Sequence, residues 1–141
     1  MNKFVIASLA AFLVGCAALP GTVDEIKAAG KAKYAFCSEK SYDETVNIIQ
    51  RQLGRCYAHG MQEIYGGTSN TYIEKLKTAE NTITLSSVAE VNWSRSYQMR
   101  VDVSSNDSCA AFVEAYGASD HWLDMTKIIQ SWIKGEDLDK C

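Results

Sequence analysis

Much of what marks a catalytic or nucleic-acid-binding chain is scarce in these 141 residues. There are two histidines, one proline and no surplus of positive charge, with 14 basic residues against 17 acidic ones. A net charge of −3 argues against nucleic acid as a partner, because phosphate recognition needs a clustered basic surface. No C-x-x-C pair occurs, so neither a zinc ribbon nor a thioredoxin-type redox centre is supported. No G-x-S-x-G elbow is present, and Gly66-Gly67 stands alone, far from a phosphate-loop pattern. His121 has Asp124 three residues on, which offers two ligands where a metal site needs three or four. His59 sits at a helix exit, where a histidine suits the helix dipole. Glu63, Glu74, Glu90 and Glu114 are scattered, and spacing alone does not bring any two of them together. The expectation is a protein that is not an enzyme, with no metal and no cofactor.

The N-terminus holds the strongest positive signal. Lys3 is the only charge before an apolar run of eleven residues, Phe4 to Val14. That arrangement suits an export signal, and the run falls well short of the roughly 20 residues a spanning helix needs. No later apolar run approaches spanning length. The run closes on Leu13-Val14-Gly15-Cys16, which resembles the lipobox of bacterial lipoproteins. The resemblance implies cleavage between Gly15 and Cys16 and lipidation of the Cys16 thiol, the nucleophile that accepts the diacylglyceryl group. Several acyl chains on one residue anchor stably where a single chain would be marginal. It further implies a cell-envelope location with the membrane as a partner through Cys16. Ala17 follows the cysteine, where an Asp would tend to retain the protein at the inner membrane. The outer membrane is therefore the expected destination, with the body in the periplasm or at the cell surface.

Cleavage leaves 126 residues with 13 basic and 17 acidic side chains, a charge of −4, enough chain for one domain with a real core. Four cysteines remain: Cys37, Cys56, Cys109 and Cys141. An even number in an exported chain reads as two disulfides, with three possible pairings. Residues 16–32 contain Pro20 and little to bury, and read as a lipidated tether, with at most a helical turn or two from Asp24 to Lys33. Residues 1–15 are thus the signal, and 33–141 the domain.

Within the domain, Tyr34 to Cys37 suits a first strand. Ser41 and Glu44 form a capping box that opens a helix whose apolar stripe is Tyr42, Val46, Ile49, Leu53 and Cys56, ending before Gly60. From Met61 the period shortens, with turns at 65–70, 78–81 and 104–107. Ser96 to Val103 alternates best: Tyr97, Met99, Val101 and Val103 on one face, Ser96, Gln98, Arg100 and Asp102 on the other, a half-buried strand with a wet side. Cys109 to Tyr116 is a last strand. Ser119-Asp120 opens a second helix with Trp122, Met125, Ile129, Trp132 and Ile133 on one stripe, and Gly135 ends it.

This order predicts an α+β, two-layer domain: an antiparallel sheet of four to six strands with two helices packed on one face. The layout is similar to helix-grip domains. Trp93, Arg95 and Tyr97 combine aromatics with arginine near a strand turn, the composition of binding hot spots, although core packing is the commoner fate of aromatics. The functional expectation is a lipid-anchored module that binds another envelope protein. A carrier of a small apolar ligand between helices and sheet is the alternative, and a divergent hydrolase a third.

Overall fold

The computed structural model describes residues 19–29 and 33–141; the signal and the lipobox through Cys16 lie outside them. The elements in chain order are α1 (Val23–Ala28), β1 (Tyr34–Ser38), α2 (Tyr42–Tyr57), β2 (Gly60–Ile64), β3 (Gly67–Ala79), β4 (Thr82–Val91), β5 (Ser94–Asn106), β6 (Cys109–Gly117), α3 (Asp120–Thr126) and α4 (Ile129–Lys134). All six strands pair antiparallel in one sheet of order β1-β6-β5-β4-β3-β2. The α+β class is thus as expected, with α2 and the α3–α4 pair on one face.

The helix α2 makes this topology possible. It connects β1 to β2, which lie at opposite edges of the sheet. Its 16 residues give a length of about 24 Å. Five inter-strand gaps of about 4.8 Å span the same width, so one straight helix can cross the whole layer. Ser41 caps it, its hydroxyl accepting from Glu44 N at 3.3 Å. The reciprocal half of the capping box is replaced, since Glu44 takes the Lys40 ammonium at 2.8 Å. Val46, Ile49, Leu53 and Cys56 bury against Leu85, Met99, Val101, Val103 and Val113 of the sheet. Trp132 and Ile133 of α4 close the same core, Trp132 almost fully buried.

Two disulfides tie the ends of the chain to this layer. Cys37 at the end of β1 bonds Cys109 at the start of β6, and Cys56 at the end of α2 bonds Cys141, with Cα separations of 5.7 and 5.5 Å. They bridge 72 and 85 residues of sequence, so each removes about 4 kcal/mol of unfolded-state freedom. Arg55 reinforces the second by donating to the carbonyls of Asp139 and Lys140, and the Trp132 indole N–H also donates to Lys140 O.

Four sequence expectations change. The expected second helix breaks into α3 and α4 around Lys127 and Ile128, because the Thr126 hydroxyl donates to Leu123 O at 2.6 Å and competes with the backbone ladder. The strands run further into the turns than composition suggested: β3 spans 13 residues, and β5 continues to Asn106. The register slips between Ser87 and Val88, which puts Tyr97 opposite Val88 and takes it away from Met99's face. A bulge is invisible to a period-two pattern. Finally, the wet face of β5 is not wet. Arg100 and Asp102 are each only 5% exposed, because α1 lies across them.

That helix belongs to the segment expected to be a tether. Instead of standing clear, Ile26 is completely buried with Val88, Tyr97 and Tyr116, and Val23 packs beside them. Pro20 O accepts from Tyr97 N at 2.8 Å, extending the docking to the start of the described chain. Val23 and Ile26 make one i, i+3 pair in a charged stretch, too little periodicity for the sequence to show that it docks.

Candidate functional site

Three places on the molecule hold chemistry worth testing for function: the buried charges under α1, a cleft beside β1, and the end of the sheet that carries Trp93.

Under α1, Asp102 accepts from the Arg100 guanidinium at 2.8 Å and from the Thr84 hydroxyl at 2.7 Å, with Lys27 at 3.7 Å. Arg100 also reaches Asp24 at 2.8 Å and Val23 O at 3.2 Å. Burial works against the Arg100 charge, but its hydrogen bonds to Asp102 and Asp24 outweigh that, and its pKa is raised above the ordinary arginine value. Thr84 is fully buried and its partners are spoken for, so no substrate reaches this cluster while α1 is in place. The arrangement latches α1 to the sheet.

The cleft has a volume of about 660 Å³ and lies between the outer edge of β1 and α4. Phe36 and Cys37 both line it although their side chains point to opposite faces, so it runs along the strand edge and not over a face. Gln130, Ile133 and Lys134 line it from α4, and Glu39, Lys40 and Glu136 complete the lining. Gln130 is held there by the Tyr34 hydroxyl, which donates to its side-chain oxygen. As the terminal strand of the sheet, β1 has one edge without a neighbouring strand among the described residues.

At one end of the sheet, the β2–β3 and β4–β5 turns lie side by side. Asn92 joins them, donating from its backbone N to Thr68 O, accepting from Thr68 N, and donating from its side chain to Gly66 O, all at 3.1 Å. A Cβ at Gly67 would fall 1.8 Å from the Asn92 side-chain oxygen, so only glycine fits against this clasp. Around it Met61, Ile64, Tyr65, Val91 and Trp93 are exposed.

The expected trio of Trp93, Arg95 and Tyr97 does not form one patch. Trp93 is 93% exposed at the turn. Arg95 is half-exposed and engaged with Glu74 and Glu90, 6.0 Å from the Tyr72 ring. Tyr97 is buried, and its hydroxyl donates to Glu74 at 2.9 Å. Burial first raises its pKa above 10, the hydrogen bond with Arg95 pulls it back, and the bond to Glu74 adds to the rise. The residues that do join Trp93 come mostly from β2 and its turn, and the five positions of β2 are all exposed and gave no alternation to read.

Among the described residues, no three His, Cys, Asp or Glu side chains converge as a metal site would require. His121 and His59 are both exposed, His121 beside the Trp122 ring. No described helix is long and apolar enough to cross a membrane. No family model matches the chain, and neither a curated protein nor a solved structure matches it.

Proposed function

We propose that this is a lipid-anchored cell-envelope protein, held at the outer membrane through acylated Cys16, whose folded body is a non-enzymatic binding module for another envelope protein. The partner enters the cleft beside β1 as an extended segment. The observation that supports this reading is the cleft itself, in which an unpaired strand edge faces a helix across about 660 Å³. Strand addition to such an edge draws affinity from main-chain hydrogen bonds and specificity from pockets for alternate side chains. Here Phe36 and Ile133 supply apolar contacts, and Lys40, Lys134, Glu39 and Glu136 supply charges of both signs. The carrier reading finds less support. The space between helices and sheet, where its ligand would lie, is filled by Trp132, Ile49, Leu53, Leu85 and Met99, all nearly inaccessible.

Photo-crosslinkers placed singly at Glu39 and Lys134, in cells with an intact envelope, test this directly. A discrete adduct from both cleft positions, and none from the exposed Glu80 turn at the end of β3, is the expected result. Equal adducts from all three positions, or none from the cleft, would overturn it. The anchor has its own test: Cys16→Ala should abolish incorporation of labelled fatty acid.

A further inference from the structure

Trp93 occupies a conformation that its side chain disfavours. Asn92 and Trp93 have φ of 48° and 70°, the left-handed pair of a type I′ turn, where the second position favours glycine. A bulky residue there costs on the order of 1 kcal/mol. Folding recovers none of it, because the ring is 93% exposed. Tyr65, at the tip of the neighbouring turn, is fully exposed as well, and Met61 is 75% exposed. Asn92 clasps the two turns together, so these side chains project from a braced platform. Trp and Tyr pair an apolar ring with a polar handle and settle where hydrocarbon meets water.

The chain leading to Cys16 leaves from this same end. Pro20 is bonded to Tyr97, only four residues along β5 from Trp93 and thus about 13 Å away. Leu19, also exposed, lies three residues after Cys16, which limits the distance between them to about 11 Å. The docked α1 removes the slack that a free tether would have left. A lipid on Cys16 would therefore hold this end of the sheet close to the bilayer.

We propose that the sheet end carrying Trp93, Tyr65, Met61 and Ile64 is a membrane-seating surface that enters the headgroup–acyl boundary of a phospholipid bilayer beside lipidated Cys16. The inference rests on the lipid-anchor reading and deepens it: the anchor supplies affinity, and the aromatic end fixes orientation. The β1 cleft lies at the other edge of the sheet and toward the other end of its strands, so seating this end turns the cleft outward, away from the membrane.

The test uses the mature lipidated chain in phosphatidylethanolamine–phosphatidylglycerol vesicles with brominated acyl chains. Bromine quenches only an indole that reaches the boundary. Trp132 is buried in the core and Trp122 is partly buried against the Tyr57 ring, so Trp93→Phe gives the background of both, and the exposure of Trp93 means the change leaves the fold and its melting temperature unaltered. The expected result is quenching of the native chain and its loss in Trp93→Phe. Tyr65→Ser with Trp93 retained should show weaker quenching. A chain that stays on the vesicles with equal quenching in native and Trp93→Phe forms would overturn the proposal and spare the anchor. A chain stripped from the vesicles by alkaline carbonate would overturn both. Trp93 shielded from iodide in whole envelopes but unquenched in protein-free vesicles would assign the surface to a protein partner instead.

Discussion

Strand β5 separates two kinds of interior within one residue of each other. On one side Met99, Val101 and Val103 face α2 and α4 in a mainly apolar layer without a buried charge pair. On the other, Arg100 and Asp102 are equally inaccessible, yet they bury charge, and the element covering them is the six-residue α1. The apolar side is large and non-directional, and it carries the stability of the fold. The polar side adds little net stability, since desolvating a pair costs about as much as the pair returns. It adds position. Arg100 bonds Asp24 and Val23 O, Asp102 meets Lys27, and the Lys27 ammonium lies 5.6 Å from the Tyr116 ring, so α1 docks in one place only. One face makes the domain; the other decides where its N-terminal segment leaves.

Five experiments can break or sharpen that contrast. The largest effect is expected on the apolar side. Trp132→Ala should cost about 3–5 kcal/mol in denaturant unfolding and lower protection throughout the domain, because the cavity lies in the shared core. A loss confined to α4 would show that the layer is not one cooperative unit. Next, Asp102→Ala should cost about 3 kcal/mol by stranding a buried guanidinium. Its hydrogen-exchange signature should concentrate in α1 and spare α2. The double change Arg100→Met with Asp102→Leu should cost less than Asp102→Ala alone, and an additive loss would show that the pair is a net stabiliser.

A smaller effect follows from the tyrosines. Tyr57, Tyr72 and Tyr97 all have pKa values raised above 10, in each case chiefly by burial. Each stays protonated in the folded chain while the unfolded chain ionises, so their contribution is complete below pH 10 and lost as pH rises through the folded values. Stability followed by circular dichroism should fall on the alkaline side of pH 10, and a flat profile would contradict the shifts. The smallest change is Asp24→Asn. Its side chain is 87% exposed, so removing that charge should cost under about 1 kcal/mol although it bonds the same arginine. A loss matching that of Asp102→Ala would mean that the latch is held from the helix and not from the sheet.

The apolar layer was legible in the sequence and the polar one was not. The stripe Val46, Ile49, Leu53 and Cys56 and the alternation Met99, Val101 and Val103 state which faces must meet, because burial of apolar area has a period that matches the backbone. Ser41 and Ser119 announced the starts of α2 and α3, and both hydroxyls accept as N-caps do. Arg100 and Asp102 carry the letters of a solvated face, and nothing in β5 itself distinguishes a pair covered by a helix from a pair in water. The candidate patch was half legible for a related reason. Trp93 stood out by composition, but its companions lie about 30 residues earlier in β2 and its turn, and Tyr97 was turned inward by a bulge.

The order of these residues thus determined the elements that local chemistry can specify: the helix starts, the apolar faces, the even set of cysteines and the α+β layering. Tertiary structure decided the choice of partner. It chose Cys37 with Cys109 and Cys56 with Cys141 among three pairings, and it brought the Trp93 and Tyr65 turns together through Asn92. It also laid α1 over charges that sequence assigns to water. The physical reason is range: caps and periodicity act within a few residues, whereas a disulfide, a clasp or a covering helix depends on distances that exist only once the sheet has closed the gap.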